Sequence, residues 1–211
     1  MSLSSNLLIT DSVPQQDGFF MPAEFAPIQK VWIIWPYRAD NWRQNAAPAK
    51  AAYADVARAI RKFCDVGVLV SPTDYLACRA RLPADIEVIA MPSNDAWARD
   101  IVPTFLLNDK GELRACDWTF NAWGGDYEIE QSDDAKARHA GDVCIASYAN
   151  FLICNDAIIV PQYDDVHDSL AITQLEKIFP QHQVVGVRTK EIVYGGGNIH
   201  CITQQQPKCL A

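Results

Sequence analysis

The sequence has no cluster of lysine and arginine residues. Its 211 residues carry 18 Lys and Arg against 26 Asp and Glu, which gives a formal net charge of -8. A protein that binds nucleic acid needs a basic surface to neutralise phosphates, so we expect no nucleic-acid partner. The excess of acid is compatible with a cationic small molecule, although most acidic proteins owe their charge to solubility alone.

The sequence also lacks any apolar run of the length that spans a membrane. Its first ten residues have neither the basic region nor the long apolar region of a secretory signal. Seven cysteines are present, an odd number, and no pair has the CxxC spacing. A disulfide framework or a zinc site is therefore not expected. Together these absences predict a cytoplasmic protein with no membrane contact and no bound metal.

The composition that remains is typical of a globular domain, with 49% hydrophobic and 21% charged residues. Residues 1–20 are rich in Ser, Asp, Gln and Pro and show no periodicity, so we predict a disordered tail there. The rest of the chain, residues 21–211, is long enough for one domain with its own core.

Short apolar runs alternate with segments of helical periodicity, which predicts an α/β fold. Predicted strands cover residues 31–35, 66–70, 86–90, 104–107, 115–120, 150–154, 157–160 and 183–187. Predicted helices cover residues 48–63, 73–81 and 168–179. We expect Asp168 or Ser169 to cap the last of these helices.

The two halves of the chain repeat one order of elements: strand, helix, strand, and then a loop that presents a reactive side chain. That side chain is Asp100 in the first half and Cys201 in the second. Residues about a hundred positions apart meet when such units surround a common axis. The pattern therefore predicts a toroidal repeat fold that brings the two loops together.

The loop before Cys201 favours a nucleophilic thiol. Three glycines in succession, Gly195, Gly196 and Gly197, allow backbone torsions and close approaches that bulkier residues forbid. A thiol beside backbone N–H groups on such a loop can act as a nucleophile. A free cysteine is more often a small buried hydrophobe, and this is our interpretation of the other six.

A second polar loop offers groups that suit a guanidinium ion. A carboxylate such as Asp100 or Asp95 accepts two parallel hydrogen bonds from a guanidinium, and Trp97 can form an apolar or cation–π wall. The alternative is an exposed ion-pair loop of little consequence. Trp123, beside two glycines at the end of a predicted strand, either lines the same pocket or is an aromatic residue at a tight turn.

Four segments, taken in order, resemble agmatine deiminases of the guanidine-modifying superfamily. They are MPAEFAPIQKVWIIWPYRADNWR, SNDAWARD, DWTFNAWGG and GGGNIHCITQQQP, and the resemblance covers almost everything from Met21 to Pro207. It implies a five-bladed α/β propeller of the pentein type. It also implies a hydrolase of polyamine metabolism that converts agmatine and water to N-carbamoylputrescine and ammonia, without metal or cofactor.

The resemblance assigns roles to individual residues. Cys201 would attack the guanidinium carbon and form an amidino-cysteine, and Asp100 would bind the guanidinium nitrogens, with Asp95, Trp97 and Trp123 as further substrate contacts. The glycines of the nucleophile loop and Asn198 would support Cys201. Because family members commonly form dimers or larger assemblies, a homo-oligomer is possible.

Two family motifs are absent from the sequence: the His-x-Asp that supplies the proton shuttle and the Glu-Gly-Gly loop. The N-terminal resemblance runs to about residue 134 and the C-terminal resemblance resumes near residue 141. We therefore expect an internal deletion near residues 135–141, which leaves a partial propeller with about three of five ββαβ blades and impaired activity.

Three alternatives to an impaired agmatine deiminase stay open at this point. The chain could be a non-catalytic guanidine binder that associates with a paralogue. It could be a protein-arginine deiminase, since bacterial relatives with these motifs act on peptidyl arginine. The gap could also belong to the gene model, which reading the transcript across residues 135–141 would test.

Overall fold

The computed structural model of the chain describes residues 8–120, 141 and 143–209. The strands are β1 (Phe19–Phe20), β2 (Ile28–Ile34), β3 (Asp65–Val70), β4 (Glu87–Ala90), β5 (Thr104–Asn108), β6 (Leu113–Cys116), β7 (Leu152–Cys154), β8 (Ala157–Gln162), β9 (Gln183–Arg188) and β10 (Thr203–Pro207). The helices are α1 (Ala47–Arg61), α2 (Tyr75–Arg81), α3 (Ala98–Ile101), α4 (Asp168–Ile178) and α5 (Lys190–Val193). No helix in these ranges is long and apolar enough to cross a membrane.

The strands form three sheets, with the orders β10-β2-β3-β4, β7-β8-β9 and β1-β5-β6. In the first, β10 is antiparallel to β2, and β2 runs parallel to β3 after the crossover through α1. In the second, β7 is antiparallel to β8, and β8 runs parallel to β9 after the crossover through α4. Both sheets therefore contain a ββαβ unit in space, although in the first sheet the outer strand of the unit, β10, comes from the C-terminal part of the chain. The predicted α/β class is confirmed.

Helix α1 joins the two ββαβ units. Tyr53, Val56 and Ile60 recur at helical spacing and have no exposed surface, and Pro48 suits the first turn, where its missing N–H costs no bond. The helix packs on β3 of its own sheet and on β8 and β9 of the neighbouring sheet. Burying each large apolar side chain contributes about 1.5–3 kcal/mol, so this shared core holds the two sheets together.

The segment that we predicted to be a tail ends in a strand. Phe19 and Phe20 pair with Leu107 and Asn108 of β5, and Phe19 is buried. Arg114 lies over the Phe19 ring, 4.0 Å from its centroid. The burial of Phe19 and its pairing with β5 explain why the structured part of the chain begins before residue 20.

The N-terminus of α4 corrects a second expectation. The residue at the N-cap is His167, and no side chain caps the helix. Asp168 turns its carboxylate back instead, where it accepts hydrogen bonds from the Tyr163 amide at 3.0 Å and the Tyr148 hydroxyl at 2.7 Å. These donors occupy the carboxylate of Asp168, which is itself the first residue of the helix.

The polar run after Cys201 is a buried strand, which the sequence did not predict. Thr203 and Gln204 are almost fully buried in β10, which pairs with β2 along its length. Gln206 accepts a hydrogen bond from the Trp32 indole at 2.9 Å. Gln204 donates to the Pro103 carbonyl at 3.4 Å. The Gln204 Oε1 and both polar side-chain atoms of Gln205 are buried with no hydrogen-bond partner among the described residues.

Candidate active site

Cys201 lies in the loop between α5 and β10. Ile199 and Ile202, on either side of it, have no exposed surface, whereas Cys201 is partly exposed. The two isoleucines anchor the loop in the core. The thiol is therefore held at the surface of a rigid support, as a nucleophile requires.

The glycines before Cys201 allow two tryptophans to approach the backbone. A Cβ on Gly195 would lie 2.3 Å from the Trp42 ring, and one on Gly197 would lie 2.6 Å from the Trp97 ring. The two indole rings also contact each other, with centroids 5.7 Å apart. Only Gly196 of the three has a positive φ, at 105°. Gly195 and Gly197 are thus explained by the close approach of the two indole rings to the backbone, and an unusual torsion is found only at Gly196.

Asn150 holds Cys201, the candidate nucleophile, through its side chain, and sequence reasoning missed it. Its amide nitrogen donates to the Cys201 sulfur at 3.2 Å. Its amide oxygen accepts from the backbone N–H of His200 at 2.8 Å and of Cys201 at 3.3 Å. One side chain therefore fixes both the loop and the direction of the sulfur.

The two loops that repeat along the chain are in contact, as the pattern predicted. The Arg99 amide donates to the Cys201 carbonyl at 3.1 Å, and the Arg99 Nε donates to the His200 carbonyl at 3.3 Å. Arg99 belongs to the short helix α3, where we predicted a loop. Residues a hundred positions apart thus form one site.

Glu24, near the N-terminus of the chain, contacts both His200 and Arg99. Both of its carboxylate oxygens lie 3.1 Å from the His200 Nε2, and one accepts from Arg99 at 3.4 Å. Burial lowers the pKa of Arg99, and the charge of Glu24 opposes that effect. The pair therefore keeps a cation next to the nucleophile loop.

Asp95 and Trp97 lie on the same side of the site. Burial raises the pKa of Asp95, although its carboxylate accepts from the Ala96 amide at 2.7 Å. The charge of Asp100, which is exposed, adds to this increase. Burial is also the main cause of the raised pKa of Tyr53, and the interactions with Asp95 and Cys201 raise it further. Asp100 is thus close enough for its charge to raise the pKa of Asp95, and the charge of Arg38 opposes that effect.

A chain of hydrogen bonds begins at Asn198, in the loop that carries Cys201. Asn198, almost fully buried, donates to the Tyr163 hydroxyl at 3.2 Å, and Tyr163 donates to the Ser147 carbonyl at 2.8 Å. Burial raises the pKa of Tyr163 to about 12, so the phenol stays neutral. The side chain of Asn198 is thus held by Tyr163, and its role in supporting Cys201 stays a prediction.

Some expectations receive no test here. Trp123 lies outside the described residues. Among residues 8–120, 141 and 143–209, no group of three or more His, Cys, Asp and Glu side chains is arranged to hold a metal ion.

Comparison with known proteins identifies the family. The model of the Porphyromonas-type peptidyl-arginine deiminase family matches residues 20–143 and 134–207. An agmatine deiminase of Stutzerimonas stutzeri is 32% identical over 358 positions, which cover 93% of this chain and 97% of that protein. The chain belongs to the agmatine deiminase family.

Solved structures of agmatine deiminases agree with the fold. The agmatine deiminase of Enterococcus faecalis is 31% identical and superposes with a TM-score of 0.88, covering 95% of this chain and 99% of that one. An agmatine deiminase of C. jejuni, only 14% identical, has a TM-score of 0.76 and supports the fold alone. The chain is thus an enzyme by family, of the hydrolase type.

Proposed function

We propose that this chain is an agmatine-directed hydrolase whose nucleophile is Cys201 and whose turnover is impaired. The observation that carries the proposal is the hydrogen bond from Asn150 to the Cys201 sulfur, beside a loop with two carboxylates. A thiolate is stabilised by such a donor. The carboxylates, Asp95 and Asp100, suit the positive guanidinium of agmatine.

The proposed chemistry begins at the guanidinium carbon. The Cys201 sulfur adds to this carbon, the tetrahedral adduct expels ammonia, and an amidino-cysteine remains. Water then adds to the same carbon, the C–S bond breaks, and N-carbamoylputrescine leaves with the thiol restored. Trp97, buried against Trp42, would form the wall on which the planar guanidinium rests.

Both halves of this reaction need an acid and a base to move protons. The sequence has no His-x-Asp motif, and the imidazole beside the nucleophile, on His200, is bonded to Glu24. We therefore propose that ammonia departs slowly. Loss of general acid–base catalysis typically reduces a rate by about 10²- to 10⁴-fold.

An internal deletion would account for the missing motifs. The family model matches in two pieces that meet near residues 134–143. The alignment with the Stutzerimonas relative has 358 positions, whereas the chain has 211 residues. We propose that the three sheets are three of five blades, so that the ring is partial.

Ammonia release and calorimetry with agmatine test these proposals together. We expect agmatine to bind and ammonia to appear about 10²- to 10⁴-fold more slowly than with the Enterococcus enzyme. Cys201→Ala should abolish the residual release and retain binding. Turnover at the relative's rate would disprove the impairment, and the absence of both binding and release would disprove the function. Binding with no release at all would favour a non-catalytic guanidine binder.

The name of the matching family supports one other chemistry, deimination of peptidyl arginine. Its test is citrulline formation in an arginine-containing peptide, measured beside ammonia release from agmatine. Citrulline without turnover of agmatine would assign the chain to that activity.

A further inference from the structure

A buried pair of thiols lies away from the candidate active site. Cys64 follows α1, Cys154 ends β7, and their sulfur atoms are only 3.2 Å apart although 90 positions separate them in the chain. Their exposed fractions are 8% and 3%. Contact between two thiols at this distance is a hydrogen bond, and a disulfide would shorten it by about 1.2 Å.

Neighbouring hydrogen bonds hold the two thiols together. The Asn155 side chain accepts from the Ile28 amide at 2.8 Å and donates to the Ile28 carbonyl at 2.7 Å, which ties the turn after β7 to β2. The Cys64 amide donates to the Ile60 carbonyl at the end of α1 at 3.2 Å. Because the backbones are already fixed, bringing the sulfurs into bonding distance requires little further ordering.

The pKa values of the two thiols are shifted in opposite directions. The hydrogen bond between the two thiols lowers the pKa of Cys154, and the same bond together with burial raises the pKa of Cys64. Cys154 is thus the thiol that becomes a thiolate more readily, and the thiolate is the form that reacts with oxidants.

Both cysteines line surface grooves. Cys64 lines a surface groove of about 540 Å³ together with Cys209, a partly exposed thiol. Cys154 lines a second groove of about 440 Å³, and Asn155 borders both grooves. The thiols are therefore covered by side chains but lie directly beneath the surface.

From this geometry we infer that Cys64 and Cys154 form an oxidisable dithiol that a hydroperoxide converts to a disulfide between two sheets. The Cys154 thiolate attacks one peroxide oxygen, the O–O bond breaks, and the departing hydroxide takes up a proton to leave water and a sulfenic acid. The Cys64 sulfur then attacks the sulfenic sulfur, an S–S bond forms, and a second water leaves. The two sulfurs together lose two electrons, which the peroxide accepts.

The bond would restrain the site as well as the sheets. β7 begins two residues after Asn150, whose side chain holds Cys201. Oxidation would therefore tie β7, the strand that follows Asn150, to the end of α1. The dithiol requires neither the proposed substrate nor the proposed mechanism.

Peptide mapping of the full chain without reductant, before and after treatment with hydrogen peroxide, tests the inference. We expect a linked peptide pair that contains Cys64 and Cys154, and a Tm that rises by about 5–15 °C because the bond closes a long loop. Cys64→Ser and Cys154→Ser should each abolish the linked pair and the rise in Tm. The matched control is Cys78→Ser, a fully buried thiol of α2 whose pKa burial raises to about 12, and it should keep both.

Either of two outcomes would overturn the inference. In one, Cys64 and Cys154 remain open to alkylation after unfolding the oxidised protein, while Cys201 or Cys209 is oxidised. In the other, Cys64 is joined to Cys209 and not to Cys154. The unsubstituted chain decides between these outcomes by itself, so the result stands even where a serine variant folds poorly.

Discussion

At the scale of single residues, Asn150 gives the most direct test of the nucleophile, because both ends of its amide face the Cys201 loop. Asn150→Asp keeps the oxygen that accepts from the backbone but replaces the donor to sulfur with a negative charge. A hydrogen bond to a charged group contributes about 1.5–3 kcal/mol. We therefore expect alkylation of Cys201 by iodoacetamide at pH 7 to slow by about 10- to 100-fold.

Mass spectrometry of the labelled peptides measures this rate and contains its own control. Cys209 lies elsewhere and is partly exposed, so its labelling rate should be the same in both proteins. Equal labelling of Cys201 in the two proteins would show that the Asn150 contact does not activate the thiol.

Asp95 makes a pH-dependent prediction. Burial raises the pKa of this carboxyl in the folded state. At a pH between the unfolded and the folded pKa, the folded protein therefore holds a proton that the unfolded chain has released. Stability contributed by such a group falls as pH rises from the unfolded pKa, about 3.9, through the raised folded pKa. Asp95→Asn removes this loss while it can still accept from Ala96. We expect the variant to have a higher Tm than the unsubstituted chain at pH 7 and the same Tm near pH 3.

The same substitution tests the function of Asp95. A charge that costs stability is often retained because a site requires it. If Asp95 contacts the guanidinium, Asp95→Asn should weaken agmatine binding by about 10- to 100-fold in calorimetry at pH 7. A variant that is more stable and binds equally well would remove Asp95 from the substrate site.

Residue types and local spacing revealed part of the site and not the rest. Cys201 could be singled out because three glycines precede it, and Asp95 and Trp97 because a guanidinium needs a carboxylate and a flat wall. Asn150 could not, since its role comes from the fold, which places it beside a loop 51 positions away. Glu24 was missed for the same reason, because its partner His200 is 176 positions away.

At the scale of elements, the contact between the nucleophile loop and the segment before α3 depends on Gly197. A methyl group there would meet the Trp97 ring at 2.6 Å and the Cys201 Cβ at 3.0 Å. Gly197→Ala should lower the free energy of unfolding by about 1–3 kcal/mol, because Trp97 is buried and must move. Urea unfolding with a fixed m-value measures this loss.

A double-mutant cycle shows whether the loss arises from this contact. Trp97→Phe removes the ring atoms that the new methyl group would meet. The double variant should then be more stable than the sum of the two single losses by about 0.5–3 kcal/mol. Simple additivity would mean that Gly197 is required for another reason.

Sequence patterns identified elements where burial is uniform. Strands β3 and β8 are buried almost throughout, so they read as continuous apolar runs. Helix α1 places its apolar residues on a broad face that packs on two sheets. Strand β10 gave no such signal, because its residues are polar although they are partly or fully buried, and the partners of Gln204 and Gln206 lie far away in the sequence. The short helices α3 and α5 have too few residues to show periodicity.

At the scale of the whole molecule, the two ββαβ units differ in what covers their helices. Helix α1 packs on β8 and β9 of the other unit, whereas α4 packs on β8 and β9 of its own sheet. Leu170 and Ile178, two turns apart on α4, are 52% and 66% exposed. If the units are equivalent blades, α4 presents the face that a preceding blade would cover in a complete ring.

This exposed face predicts self-association. Two large apolar side chains on one helix face favour contact with a second copy. We expect the sedimentation coefficient of the chain to increase with concentration in the micromolar range. The variant Leu170→Gln/Ile178→Gln should remove most of that increase, with a change in the free energy of unfolding within about 0.5 kcal/mol, as is usual for surface positions.

The control for this variant must be equally apolar and exposed but lie on another helix. Leu76 on α2 is 81% exposed, more than either α4 residue, so Leu76→Gln removes one large exposed apolar side chain without touching α4. If the partial ring explains the association, Leu76→Gln should leave the concentration dependence unchanged. If Leu76→Gln and the α4 variant reduce association equally, the association is caused by exposed apolar surface in general. The exposed face of α4 would then give no support to the proposal that a blade is missing. If the unsubstituted chain stays monomeric at all concentrations, the α4 face needs no cover, and the partial ring is stable as it stands.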